Sequence, residues 1–264
     1  MPNARIHAAQ LLSVAFLIAL LFRTGCPMEA GFQKCDPAKL RTYSYKSFQI
    51  ISLPGEPPNF RFTAGMAIDA DGAPNAYHPK NIKDALDYLS SAGKPGNWWA
   101  LVTDNDKPRG RPVIQGPDDP FPGYYISTTS LEDVTKPRAD PKRYVDSTVV
   151  PYFVLPKKLA QKFRAQVGDF GAVIKREQRG GEKVVFAIYA DMGPPRKLGE
   201  GSIALAKALG VPASPKTGGS HGHIDYIVFP GSGNGKPRSV HEINIEAASL
   251  LQSYKQLWEK VCAQ

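Results

Sequence analysis

Glycine and proline punctuate this chain from end to end, 24 of each in 264 residues. The segments between them are short, and most are rich in β-branched and aromatic residues, which suit a pleated, half-buried surface. Many short strands joined by turns are what such spacing allows. The strand candidates are Phe48–Leu53, Phe60–Ile68, Trp98–Thr103, Tyr124–Thr128, Tyr152–Leu155, Gly171–Lys175, Lys183–Ala190 and Ile224–Phe229. Three segments show a helical period instead. Asn81–Ser91 has Asn81 to cap it and Ile82, Ala85, Leu86 and Leu89 on one face. Ser202–Leu209 opens on a capping serine and stops at Gly210. Asn244–Cys262 carries Ala247, Leu250, Leu251, Tyr254, Leu257, Trp258 and Val261 at 3–4 spacing, a stripe that packs on a core. The expected fold is mainly β with a few helices: a single small β-barrel domain with a C-terminal helix packed on it.

The N-terminus follows a different pattern. Arg5 and His7 precede an apolar run from Leu11 to Phe22, broken only by Ser13. That run is shorter than the roughly 20 residues a membrane-spanning helix needs. Residues 1–30 are read as a secretion signal, with cleavage near Ala30. An uncleaved N-terminal anchor and lipidation at Cys26 remain the alternatives. About 230 residues follow, enough for one domain, and no linker divides them; the domain is taken as 36–264. If Cys26 leaves with the signal, Cys35 and Cys262 are an even pair in an oxidising compartment and would tie the two ends of the domain together. Two free thiols are the other reading. No stable membrane insertion is expected after signal removal, and the protein is expected to be a monomer.

The formal charge is +9. Lys and Arg are scattered, with no helix-borne stripe, so nucleic acid is not an expected partner. A solvated surface, or an anionic polymer met outside the cell, explains the charge. The segment from Asp104 to Pro122 has loop composition, and long loops in a compact domain are often functional.

Chemistry is densest from Ala187 to Ser202. An apolar strand ends at Asp191, a Gly193-Pro194 turn follows, and Glu200 lies at the mouth of the Ser202 helix. A carboxyl leaving an apolar strand is desolvated and its pKa rises. One near a helix N-terminus is favoured as the ion. Two carboxyls pushed apart in this way form a general acid and base pair; an architectural turn followed by a cap-region Glu is the alternative. Asp69 and Asp71 fall on one side of a strand and then meet Gly72. Asp-x-Asp-Gly resembles a calcium loop but lacks its distal Glu. His221 and His223 have no obvious third ligand. No metal or cofactor is therefore expected. Trp98-Trp99 and Tyr124-Tyr125 offer aromatic faces for sugar rings, one of each pair being core on a strand. Trp98 and Tyr124 are taken as the substrate-facing members, beside Asp69 and Asp71.

Three islands carry a resemblance: Met66-Ala67-Ile68-Asp69-Ala70-Asp71-Gly72, then Tyr189-Ala190-Asp191 with Leu198-Gly199-Glu200-Gly201-Ser202, then Tyr226-Ile227-Val228-Phe229-Pro230-Gly231. Together they resemble the fungal-type chitosanases of glycoside hydrolase family 75. The resemblance implies Asp191 and Glu200 as the essential carboxylates. The chain departs from the family pattern at Met66-Ala67-Ile68, which lacks the first aspartate, at Ala70 for a cysteine and at Gly201 for an alanine. The Asp191-to-Ser202 segment is also similar to that of double-psi β-barrels in rare-lipoprotein-A-type and lytic transglycosylase proteins, which implies a double-psi-like barrel.

The function these resemblances imply is that of an exported, endo-acting glycosidase. It would cleave chitosan or a related amino-sugar polymer by inversion, with Asp69 and Asp71 meeting glucosamine ammonium groups. The opposed environments of the two carboxyls assign Asp191 as acid and Glu200 as base, with the reverse assignment as the alternative. Two alternatives stand beside it: a non-catalytic glycan-binding barrel, and a lytic transglycosylase-like protein acting on peptidoglycan. The charge bears on the choice. A chain at +9 repels a polycation at long range, but with a Debye length of about 8 Å only the sign of the cleft itself must be negative.

Overall fold

The computed structural model describes residues 32, 34–177 and 180–262. The secretion signal read at 1–30, with Cys26, lies outside the described residues. Among those described, the chain forms in order β1 (Arg41–Tyr45), β2 (Phe48–Ser52), β3 (Phe60–Asp69), β4 (Gly93–Lys94), β5 (Asn97–Trp98), β6 (Tyr152–Pro156), α1 (Lys157–Phe163), β7 (Phe170–Arg176), β8 (Glu182–Gly193), β9 (Glu200–Ser202), α2 (Ile203–Leu209), β10 (Ser220–Val228) and α3 (Val240–Cys262).

Six of these strands close on themselves in the order β3-β10-β7-β8-β6-β9, with β9 pairing back to β3. The β8–β6 and β9–β3 pairs are parallel and the others antiparallel. Parallel neighbours need long crossover connections, and these are what a small double-psi-like barrel is built from. The expected mainly-β barrel with a C-terminal helix packed on it is the fold the chain adopts. The β1–β2 hairpin extends the sheet beyond β3 through the Ile51–Arg61 pair.

Alternation along the strands divides the apolar residues between two sides. Phe60, Phe62, Phe153, Tyr189, Leu205 and Tyr226 belong to the main core. Ile188, Ala190 and Val154 join Ile243 and Ala247 of α3 in a second cluster. The buried positions of α3, namely Ile243, Ala247, Leu251, Tyr254 and Trp258, follow the expected 3–4 spacing. The helix begins earlier than Asn244. Ser239 and Glu242 form a reciprocal cap, with Ser239 N–H donating to Glu242 at 2.9 Å and Glu242 N–H to Ser239 Oγ at 3.2 Å, a Ser-x-x-Glu signal legible in the sequence. Helix α2 runs as expected: Ser202 Oγ accepts from Leu205 N–H at 3.0 Å, and Gly210 ends it in the left-handed conformation. Cys35 and Cys262 form a disulfide.

Three expectations fail. Asn81–Ser91 is not an α-helix; turns lead to a single 3-10 turn at Leu89–Ser91. Its backbone groups find other partners: Leu86 and Asp87 N–H donate to Asn75 and Ala76 carbonyls, while the Lys216 ammonium donates to the carbonyls of Ile82 and Ala85. These tertiary hydrogen bonds replace the helical ladder. Trp98–Thr103 and Tyr124–Thr128 are mostly irregular, joined by single bridges such as Leu101–Ser127 and Ile114–Tyr125. Neither finds a strand of the barrel to continue along.

Candidate active site

The site sits where the ends of β3 and β8 meet the start of β9. The parallel β9–β3 pair sets Glu200 opposite Ala67 and Ser202 opposite Asp69, so the carboxyls of Asp69 and Glu200 come from adjacent strands. Gly199 makes this approach feasible. It holds φ +80, and a Cβ there would lie 2.2 Å from the Gly65 carbonyl oxygen. In the β8–β6 pair the register skips at Ala190: Phe153 faces Tyr189, yet Val154 faces Asp191. A bulge of this kind re-aims the next side chain. It also leaves the Ala190 carbonyl to accept from Leu131 N–H at 2.8 Å, which draws the Ser130 segment alongside Asp191.

Asp191 Oδ1 accepts from Ser130 N–H at 2.9 Å, Ser130 Oγ at 2.5 Å and Met192 N–H at 2.8 Å. Burial nevertheless raises its pKa to about 6, against these hydrogen bonds and with a further push from the Glu200 charge. Asp69 and Asp71 are driven well above the usual carboxylate range, first by burial and then by neighbouring carboxylates. Asp71 Oδ1 accepts from the Tyr77 hydroxyl at 2.6 Å. Oxygens of Asp69, Asp71 and Asp191 all lie within 4.8 Å of one another. Carboxylates this close cannot all ionise unaided; shared protons or a small cation held by these three would relieve their repulsion.

Glu200 lies two residues before the Ser202 cap, as expected, on the short strand β9, and the Lys197 ammonium pairs with its Oε1 at 3.0 Å. The connection between the two carboxyls is tied down by the Tyr45 hydroxyl, which donates to the Pro195 carbonyl at 2.9 Å.

All four carboxyls line one cleft of about 980 Å³. Seven carboxyl side chains line it against three cations, so its sign is opposite to that of the whole chain, which is +9. The loop that opens at Asp104 contributes Asp106, Lys107 and Pro108 to the wall. The aromatic expectations need correcting. Trp98 reaches the cleft but is only 7% exposed, whereas Trp99 is 59% exposed there and is the indole with a free face. Tyr124 does not line the cleft; its ring packs edge-on against His78 and Phe121. His221 and His223 are exposed at the irregular start of β10, away from the cleft.

Sequence reasoning missed Ser130, Tyr77 and Lys197. Of these, only Lys197 had a local signal, three residues before Glu200. Trp99 was within reach of the alternation argument, with the wrong member of the pair chosen.

No helix among the described residues is long and apolar enough to cross a membrane. Comparison with curated proteins gives no match. A family model described as fungal chitosanase of glycosyl hydrolase group 75 matches residues 66–264, which spans the cleft, both parallel strand pairs and α3. The acidic cleft in a closed barrel and the extent of this match lead to one conclusion: the chain belongs to the group 75 fungal chitosanase family and is a chitosanase-like glycosidase.

Proposed function

We propose that this protein is an exported endo-chitosanase that cleaves chitosan or a related amino-sugar polymer with inversion. Asp191 serves as general acid and Glu200 as general base. The observation that carries the reading is the sharing of one acidic cleft by two carboxyls in different environments. Asp191, titrating near 6, retains a proton in mildly acidic solution. Glu200 Oε1 lies 3.0 Å from the Lys197 ammonium.

In the reaction, the Asp191 proton passes to the glycosidic oxygen as the bond from that oxygen to the anomeric carbon breaks. Water attacks the anomeric carbon from the opposite face, and Glu200 takes the proton that water gives up. Inversion needs room for this water, about 6.5–9.5 Å between the carboxyls, against about 5–5.5 Å for retention. Asp69 and Asp71, whose ionisation burial and neighbouring carboxylates disfavour, would meet the ammonium groups of the sugar, whose positive charge relieves that repulsion.

A non-catalytic glycan-binding barrel would need the two carboxyls to be turned into separate turns, and a lytic transglycosylase-like lyase would need one acid alone. Export is supported by the apolar run at Leu11–Phe22 and by the Cys35–Cys262 bond, which belongs to an oxidising compartment.

The test is direct. The protein is incubated with chitosan and, separately, with peptidoglycan, and the products are identified by mass spectrometry while the first-formed anomer is followed by NMR. Short glucosamine oligomers released as the α-anomer from β-linked chitosan support the reading. Release of β-anomer refutes inversion, and anhydro-sugar products from peptidoglycan refute hydrolysis.

A further inference from the structure

The cleft lining includes Trp99 besides the four central carboxyls, and nothing in the chemistry of bond cleavage accounts for an indole there. Trp99 is 59% exposed, yet it is not free to swing. Its indole N–H donates to the Ser91 carbonyl at 2.9 Å, and its backbone N–H donates to the Ala92 carbonyl at 3.1 Å. The indole is thus a fixed platform presenting a face to the cleft.

Asp87 lines the same cleft, four residues before the Ser91 that holds the indole, and is only 7% exposed. Its backbone N–H donates to the Ala76 carbonyl at 3.1 Å, which sets it beside Tyr77. One carboxylate oxygen accepts from Tyr88 N–H at 2.7 Å, and no protein donor within hydrogen-bonding distance meets the other among the described residues. The Asp87 charge is felt at the Tyr77 hydroxyl, which in turn donates to Asp71 at 2.6 Å. An acidic path therefore runs from Asp191 and Asp71 past Tyr77 to Asp87, in a cleft that also holds the exposed indole of Trp99.

A polymer with one ammonium per sugar matches such a path. A buried carboxylate with a spare oxygen takes a charge-assisted hydrogen bond from an ammonium, and an indole face attracts both apolar sugar surface and nearby cationic charge. We propose that Trp99 and Asp87 form a distal sugar-binding subsite specific for a glucosaminyl unit. The subsite rests on the chitosanase reading and specifies where deacetylated sugar is required. An N-acetylated unit would stack on Trp99 equally well but leave the Asp87 carboxylate without its cation.

The experiment uses the full-length chain carrying Glu200→Gln, which suppresses turnover, and measures binding of glucosamine hexamer and N-acetylglucosamine hexamer by calorimetry. Adding Asp87→Asn is expected to weaken glucosamine hexamer binding about tenfold and leave the acetylated hexamer unchanged. Adding Trp99→Ala is expected to weaken both about tenfold, with Trp99→Phe restoring most of the loss. Asn keeps the Tyr88 contact and Trp99 is exposed, so both variants are expected to melt within a few degrees of the parent. Unchanged affinities in all three variants, with a parent that binds glucosamine hexamer, overturn the subsite and leave the chitosanase reading standing. A parent that binds no glucosamine oligomer overturns both.

Discussion

Ser130 grips Asp191 twice, through its backbone N–H at 2.9 Å and its hydroxyl at 2.5 Å, on the same carboxylate oxygen. Both bonds favour the ionised form, and burial outweighs them to leave Asp191 titrating near 6. Ser130→Ala removes the hydroxyl alone. The Asp191 pKa is then expected to rise by about one unit. As general acid, Asp191 works only while protonated, so kcat/KM falls as pH rises through about 6 in the wild type. In Ser130→Ala that falling limb should move to higher pH. A limb that stays in place would remove Asp191 from the acid role.

Asp191→Asn and Glu200→Gln are each expected to lower kcat by about 10²–10⁴-fold on chitosan, the range general acid–base groups contribute. Binding of glucosamine oligomers should survive both changes. Steady-state kinetics with calorimetry on the same samples separates the two effects. Retained turnover in Glu200→Gln would sink the two-carboxylate mechanism.

The carboxyl trio also links stability to pH. Asp69, Asp71 and Asp191 all titrate above their ordinary range because burial disfavours their charge. Below about pH 4 they are protonated whether the chain is folded or unfolded. Above that, the unfolded chain ionises while the fold resists, so this cluster's stabilising share is lost as pH rises through the folded values. Asp69→Asn should therefore gain melting temperature over the wild type as pH rises, reaching about 2–4 °C by pH 7.5 if the relief is worth about 1 kcal/mol. Scanning calorimetry from pH 4 to 7.5 measures that difference, and a gap that shrinks with pH would contradict it.

The Cys35–Cys262 bond joins the chain just before β1 to the last residue of α3, 227 positions apart. Cys262→Ser is expected to cost about 2–5 kcal/mol. Because the cleft lies on the other strands' ends, kcat on chitosan should change little below the melting transition. Denaturant unfolding and kinetics at 25 °C test both halves of that expectation.

Several features of this protein follow from its sequence alone. The spacing of Gly and Pro pointed to strands joined by turns, the 3–4 stripe of α3 demanded a core to pack on, and Ser202 and Gly210 set the bounds of α2. Asp191 and Glu200 were legible because each sits beside a local boundary, a turn or a cap, that period and propensity reveal. Tertiary structure decided the rest. Lys216, more than 120 residues away, takes the carbonyls that would have built a helix from Asn81. Ser130 reaches Asp191 across 61 positions, and the bulge at Ala190 makes that meeting possible. Of Trp98 and Trp99, which both line the cleft, only the tertiary structure settles which indole is exposed there. Local signals encode the conformation of a segment, whereas the proton affinity of a carboxyl and the use of an aromatic face depend on partners that sequence distance conceals.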